Sequence, residues 1–506
     1  MTPDLAAPAA PTAATAASPA ATAPAERLHP LYLVTGLGKA LKGAWGLIAG
    51  IAVLGSQGRW WLVALVAAGF VILSVVSLLL NWLKFEYRVG ADELRIDSGF
   101  LSRNSRAIPF DRVTDVDLEQ GPLHRLFGLA RVRLETGASA GAKDEDGVLD
   151  TIALDRAEAL RDHIRARRIR ASPIAIEIDE TAPPPLFAMN SGRVATAGLF
   201  NFSLAVVAGL FGLSQTFGDV LGFDPFERSF WMSLAERSGS LRELVVAHQY
   251  IAVIGGAIVL VVLGIATGMI RTLLRDYGFR LDRTETGLRR RRGLLTLTDV
   301  TVPAHRVQAA IVASGPVRRA FAWCELKLQS LAMDGAKGDH VVAPLAHPEE
   351  ATAILGSLGW PAAPSTGSWS NVSFAYVTSL AALLTPPALV AVVVGLLVQP
   401  LVSIWAAGAV VAVGARWLGW RQTRYSLSND ALFVEQGWWR RRRSILPTRN
   451  IQSIDITQSA WARAFGICTL HLGVAGGGGF SAHRVPALPR SEGEELRARL
   501  FAATKF

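Results

Sequence analysis

The chain has only two cysteines in 506 residues, Cys324 and Cys468, which excludes a disulfide-stapled scaffold and leaves too few thiols for a metal cage. Charge is scarce as well: Asp, Glu, Lys and Arg make up 18% of the chain against 51% hydrophobic residues. That is too little charge for an ordinary soluble protein, so membrane spans are expected before any is located. Catalytic signatures are also missing. The nine histidines are scattered, no His-Glu-x-x-His occurs, and His340 and His347 have no matching carboxylates, so a metallohydrolase is not indicated. Gly476 to Gly479 is not followed by Lys-Ser or Lys-Thr and reads as a hairpin loop, and Ser238-Gly239-Ser240 reads as a turn. No catalytic, cofactor-binding or metal-ligating residue is assigned, and the chain does not read as an enzyme.

What is present is a pattern that occurs three times. Gly99, Pro109 and Phe127 are ten and then eighteen residues apart, and Gly293, Pro303 and Phe321 keep both spacings, as do Gly437, Pro447 and Phe465. Tyr87, Tyr277 and Tyr425 are read as opening the copies, and Val113, Val307 and Ile451 follow each proline by four residues. Each copy reads as a strand, a second strand, one short helical turn and a third strand. Glu93-Leu94-Arg95-Ile96 and Ala431-Leu432-Phe433-Val434 carry the strand signal. Pro109 suits a strand edge or bulge, and Pro122 suits the first position of a helical turn. Leu123, Leu126 and Phe127 then fall on one apolar face, which Gly128 can end in a left-handed conformation. Amphipathic helices from Asp155 to Arg168, Pro348 to Leu358 and Arg490 to Leu500 close the copies. Cys324 and Cys468 share one repeat position with Ala130 and read as small buried strand residues.

Between the copies lie long apolar runs. Ala44 to Leu54, extended by Leu37 to Gly43, is followed by Trp60 to Leu83; Val194 to Phe217 by Val245 to Leu274; and Phe374 to Val398 by Leu401 to Trp420. Runs of this length can cross a bilayer, which takes roughly 20 residues, and Pro386 and Pro387 should kink the fifth. An Ala/Pro/Thr tail with no secretory pattern precedes them and reads as disordered. The loop Gly218 to Arg242 carries interfacial aromatics such as Trp231. Lys39, Lys42, Lys84, Arg193, Arg271, Arg275, Arg416 and Arg421 lie at the span ends attached to the tail or the β units, so those units and the N-terminus are expected on the cytoplasmic side. Apart from Lys39 and Lys42, no charge falls near a span centre, which argues against an ion-coupled carrier.

The net charge of +10 fits nucleic acid or an anionic membrane surface, and the spans favour the second, with no nucleic acid as partner. Its clearest concentration is Arg289, Arg290, Arg291 and Arg292, matched near the equivalent place by Arg440, Arg441, Arg442 and Arg443 after Trp438 and Trp439. Near an anionic leaflet each such charge contributes about 1 kcal/mol. Three readings stay open: generic electrostatic contact with anionic lipid, a solvated face that only fixes topology, or a site for a specific phosphorylated head group or protein ligand. Arg112 and Arg306 share a repeat position, with Asn450 in the third copy, and read as structural.

The string Tyr-Arg-Val, Leu-Arg-Ile, Ser-Gly, Ile-Pro, Arg-Val and Gly-Pro-Leu-x-Arg-Leu-Phe-Gly-Leu-Ala, running from Tyr87 to Ala130, resembles the bacterial pleckstrin-homology-like membrane proteins of the YdbS/YdbT type. The later copies depart from it, with Ala322 for the glycine and Ser459-Ala460 for Gly-Pro. The resemblance implies a membrane α plus β protein: about six transmembrane helices in three hairpins, alternating with three pleckstrin-homology-like β-barrel or sandwich domains, each capped by a C-terminal helix. The expected divisions are a tail at 1–30, hairpins at 37–83, 193–274 and 373–420, β domains at 85–168, 276–358 and 423–502, and linkers at 169–192 and 359–372. It brings no catalytic residue and no ligand. The expected role is a non-enzymatic interaction platform in the bacterial cytoplasmic membrane, in contact with anionic lipid and assembling with itself or another membrane protein, in envelope maintenance. The alternative is a transport or export component regulated by its β domains.

Overall fold

The alternation along each strand becomes burial on one face: in Glu93–Ser98, Leu94 and Ile96 are buried and Arg95 between them is not, as a period of two requires. In the computed structural model the described residues are 24–43, 60–99, 104–136, 147–170, 184–202, 249–330, 339–364, 366–428, 430–475 and 483–503. They divide into two units, Met1–Glu177 and Ile178–Phe506.

The first unit starts with α1 (Tyr32–Gly43), packed on α2 (Trp60–Lys84). Gly36 permits the approach, since a Cβ there would stand 2.6 Å from Leu78 Cδ2. Strands β1 (Glu86–Val89), β2 (Glu93–Ser98) and β3 (Asn104–Pro109) then pair antiparallel in that order. Pro109 has no N–H to continue the ladder, and the 3-10 turn Phe110–Arg112 follows it. The chain continues as β4 (Val113–Gln120), α3 (Pro122–Leu126), β5 (Leu129–Thr136), β6 (Val148–Ala153) and α4 (Leu154–Arg170), with β5 between β4 and β6. Leu94, Ile108, Val116, Val132, Leu149 and Leu160 share one core.

The second unit holds two further copies. The first comprises β7 (Phe187–Ala188), α5 (Ser191–Leu199), α6 (Gln249–Asp276), β8 (Arg280–Thr284), β9 (Gly287–Arg292), β10 (Leu297–Pro303), β11 (Val307–Ser314), α7 (Pro316–Ala320), β12 (Cys324–Ser330), β13 (Asp339–Ala346) and α8 (Pro348–Ser357). The second comprises β14 (Ser370–Asn371), α9 (Ala375–Leu397), α10 (Ile404–Arg421), β15 (Arg424–Leu427), β16 (Ala431–Gln436), β17 (Arg441–Pro447), β18 (Ile451–Thr457), α11 (Ala460–Ala464), β19 (Ile467–Val474), β20 (His483–Pro489) and α12 (Arg490–Ala503). Each copy thus has six strands of its own, three on each side of the 3-10 turn, where the alternation pattern indicated three. The extra ones are β1, β3 and β6 and their counterparts, short or interrupted by polar residues.

Two relationships were not visible in the spacing. A segment from before each membrane segment joins the first sheet of each copy, as a single bridge in the first and as a two-residue edge strand in the others: Glu26 bridges Tyr87, Phe187 pairs with Leu281, and Ser370 pairs with Tyr425. The two copies of the second unit are also joined, because β11 pairs antiparallel with β17, giving one sheet ordered β13-β12-β11-β17-β16-β15-β14. One landmark is corrected. Tyr277 does not open the second copy, since α6 runs to Asp276 and Tyr277 lies in the turn behind it. The residue that faces Arg290 there is Leu281, where Tyr87 faces Ile96 and Tyr425 faces Val434.

The departures from the repeat motif have local solutions. Ser459, in place of glycine before proline, caps α11 by accepting a 3.1 Å bond from the Ala462 N–H, as a good N-cap does. Ala322 adopts φ 55°, in the left-handed region where Gly128 and Gly466 have φ 64° and 65°.

Among the described residues, four helical segments are long and apolar enough to span a bilayer: Trp61–Lys84, Ile254–Asp276, Ala375–Leu397 and Pro400–Arg421. The helix Ala375–Leu397 continues through Pro386 and Pro387. Of the other two expected spans, α1 covers Leu37 to Gly43 and α5 with the residues after it covers Val194 to Phe202; the remainder of both lies outside the described residues, as do the loop Gly218 to Arg242, the tail before Pro24 and Gly476 to Gly479.

Candidate functional site

Strand alternation decides what the two arginine runs do, because successive side chains leave a strand on opposite faces. In β9, Arg289 and Arg291 turn to Asp299 on β10: Arg289 Nε is 2.8 Å from its Oδ1 and Arg291 Nε 3.8 Å from its Oδ2. Their neighbours turn the other way. Arg290 is buried at the position of Ile96 and Val434, where its Nη1 donates to the Val341 carbonyl at 3.1 Å. Arg292 bonds Asp276 Oδ1 at 3.1 Å, tying β9 to the end of α6. The second run lies not on the corresponding strand but on the turn and strand that follow the glycine. Arg441 and Arg443 converge on Glu435, to which Arg424 also donates, at 2.7, 2.5 and 2.7 Å. Burial acts to raise the Glu435 carboxyl, but the charge of Arg443 and the bonds from Arg424 and Arg441 outweigh it and hold the group below its ordinary range.

Arg440 and Arg442, the alternate members, line a cleft of about 670 Å³ where the third pair of spans meets the third β copy. Arg416 enters it from α10, its Nε donating to the Tyr376 carbonyl at 3.1 Å with the guanidinium over the Tyr376 ring. Arg484 enters from β20, and Trp438 and Gly419 complete the wall beside the span end. Four guanidinium groups therefore line one recess with no carboxylate among its lining residues. Behind it His483 is buried and its Nε2–H donates to Gln329 Oε1 at 2.8 Å. Burial and then the charge of Arg442 push it down to about 4, so it adds no positive charge at neutral pH.

Of the ten residues singled out in the sequence, Trp438, Arg440 and Arg442 meet in this cleft, while Trp439 stacks edge-on against Trp438 and is exposed. Arg289, Arg291, Arg292, Arg441 and Arg443 are engaged with carboxylates, Arg440 also stands 3.8 Å from Glu325 at the edge of the cleft, and Arg290 is inside the core. Arg416 and Arg484 were not singled out as site residues. Arg416 carried a signal, as a cation at the end of a span; Arg484, on a strand with no basic neighbour but His483, carried none. Cys324 and Cys468 are buried free thiols at one repeat position, and among the described residues no group of three His, Cys, Asp or Glu side chains could hold a metal ion.

Residues 33–168, 242–359 and 373–504 each match the family described as Bacterial PH domain. The transmembrane protein YdbT of Bacillus subtilis (strain 168) is 23% identical over 267 residues, 51% of this chain and 51% of that protein. The transmembrane protein YdbS of the same organism is 27% identical over 124 residues, 23% of this chain and 74% of that protein. The matched region thus spans about half the length of YdbT. No solved structure matches the chain. With three matched segments that together exceed half its length, each holding six strands and a closing helix, the chain belongs to the bacterial PH domain family, as a transmembrane member.

Proposed function

We propose that this protein is a non-enzymatic platform of the bacterial cytoplasmic membrane, whose PH-like copies face the cytoplasm and hold the phosphate of an anionic lipid in the cleft of Arg416, Arg440, Arg442 and Arg484. The observation that carries the reading is the lining itself: four guanidinium groups and no carboxylate, at the end of a membrane hairpin. Guanidinium is the side chain best matched to phosphate oxygens, which it can grip through two donors at once. Trp438 and Trp439 beside it have the amphipathic character of interfacial side chains. The same cytoplasmic faces would take up a second copy or another membrane protein, in envelope maintenance.

The test is native mass spectrometry of the full chain released from nanodiscs of equal phosphatidylglycerol and phosphatidylcholine. Retained phosphatidylglycerol should exceed phosphatidylcholine several-fold, and the double variant Arg440→Gln, Arg442→Gln should lose that preference. Equal retention of the two lipids by the unmodified protein would overturn the reading.

A further inference from the structure

The repeated short helix is the motif whose role the cleft leaves open, and its apolar residues are not in the core. Leu126 is 76% exposed, Phe321 61% and Trp461 44%. Leu123, Phe127 and Val317 are exposed too. All three copies add an arginine at one position, Arg125, Arg319 and Arg463, three residues after the first helical residue. A run of large apolar side chains beside a cation, kept on the outside of every copy, needs an apolar environment to cover it.

Where this motif sits is fixed in the second unit by contacts to the spans. On α7, Arg318 donates to Asn201 Oδ1 at 2.8 Å, and Asn201 donates to Thr272 Oγ1 at 3.0 Å, within the last turns of the span Ile254–Asp276. Phe321 lies against Phe200, the ring centres 5.9 Å apart. Arg319 donates to the Trp438 carbonyl at 2.7 Å, in the turn beside Gly419 near the end of α10. On α11, Trp461 Nε1 donates to the Ser379 carbonyl at 3.0 Å, in the second turn of the span Ala375–Leu397. Both short helices thus stand level with the span ends, where the headgroup layer lies and where tryptophan and arginine are favoured.

We infer that the short helices Pro122–Leu126, Pro316–Ala320 and Ala460–Ala464 are interfacial anchors, whose exposed Leu, Val, Phe and Trp side chains enter the bilayer surface and hold each PH-like copy against the membrane. The occupant of this apolar surface is lipid, because in the second unit both short helices are held beside the ends of spans that are themselves exposed and apolar. The anchoring rests on apolar insertion rather than on headgroup charge, which separates it from the arginine cleft.

The experiment places a bimane label at Leu126→Cys or Val317→Cys, in the Cys324→Ala, Cys468→Ala background, in nanodiscs of pure phosphatidylcholine. A label at Glu285→Cys, in the exposed turn between β8 and β9 at the far end of the strand from the span, is the reference. Quenching by lipid carrying a shallow nitroxide should be several-fold stronger at the first two positions than at Glu285, and quenching by aqueous iodide correspondingly weaker. Equal lipid quenching at all three would overturn the inference. Should a labelled variant fail to fold, the unmodified protein is photo-crosslinked with lipid bearing a diazirine near the glycerol. Adducts should then fall on the peptides holding Phe127, Phe321 or Trp461, and their absence from all three would overturn it equally. Because no anionic lipid is present, loss of headgroup preference in the cleft leaves this outcome unchanged.

Discussion

Glu435 and Arg443 face each other across β16 and β17, and at the same position one copy earlier Arg291 faces Asp299 with the charges exchanged. In the first copy Asp97 faces Ser105 there, with Arg95 at 3.7 Å. A carboxylate with an arginine beside it recurs at this pair, while the strand that carries it changes. In the second and third copies the opposite charges sit on neighbouring strands, either sign on either strand, whereas in the first copy Arg95 and Asp97 both lie on β2.

Removing the carboxylate of Glu435 leaves Arg424, Arg441 and Arg443 without their common partner. Breaking a buried ion pair from one side costs about 3–5 kcal/mol, so Glu435→Ala should lower the unfolding midpoint sharply in nanodiscs. Because the folded carboxyl titrates lower than the unfolded one, its contribution is full above the ordinary glutamate value, about 4.3. It is lost as pH falls through the depressed value, and Glu435→Gln should flatten that acid limb. An unchanged midpoint in the alanine variant would contradict the clamp.

Arg290 occupies a core position that is isoleucine in the first copy and valine in the third. Burying a charge is costly, and an apolar side chain there removes that cost together with the bond to the Val341 carbonyl. Arg290→Ile should therefore unfold at the same temperature or higher and retain phosphatidylglycerol as the unmodified protein does. A loss of lipid preference in this variant would show that Arg290 reaches the surface.

Ala322 holds a left-handed backbone that glycine holds in the other two copies. A residue with a Cβ is disfavoured there by roughly 1–2 kcal/mol, and the extra chain freedom of glycine offsets part of this. The expected result for Ala322→Gly is a gain of about 1 kcal/mol in denaturant unfolding. Destabilisation would mean that the Ala322 methyl makes packing contacts worth more than the strain.

His483 titrates at about 4 when folded and near 6.5 when unfolded. Across that interval the unfolded chain binds the proton first, so stability should fall as pH drops from about 6.5 to about 4, by up to about 3 kcal/mol in all. Unfolding midpoints at pH 7 and pH 5 measure this. The difference should shrink in His483→Gln, whose amide can still reach Gln329; an equal difference in both proteins would assign the slope to other groups.

The repeat was legible because its landmarks are backbone necessities. Gly99, Gly293 and Gly437 all have positive φ, and a Cβ at Gly293 would lie 1.9 Å from the Thr296 carbonyl oxygen. Pro109, Pro303 and Pro447 each end a strand before a 3-10 turn. The edge strands Phe187–Ala188 and Ser370–Asn371 were not legible, since two residues carry no periodicity, nor was the β11–β17 join, which depends on packing between copies. The mistaken landmark had a visible signal: twelve residues separate Tyr87 and Tyr425 from their turn glycines, and sixteen separate Tyr277 from Gly293. The arginine runs were conspicuous by composition, but only strand alternation sorts Arg440 and Arg442 from Arg441 and Arg443.

Ser370–Asn371 comes before α9 and its partner Arg424–Tyr425 comes after α10, yet the two are neighbours in one sheet. On the ribosome the first edge is therefore made before either helix of the hairpin, and its mate only after both have emerged. Sheet closure has to wait for the return of the chain from the membrane. The order of synthesis, both helices before the strand that completes the sheet, is written into the connectivity itself.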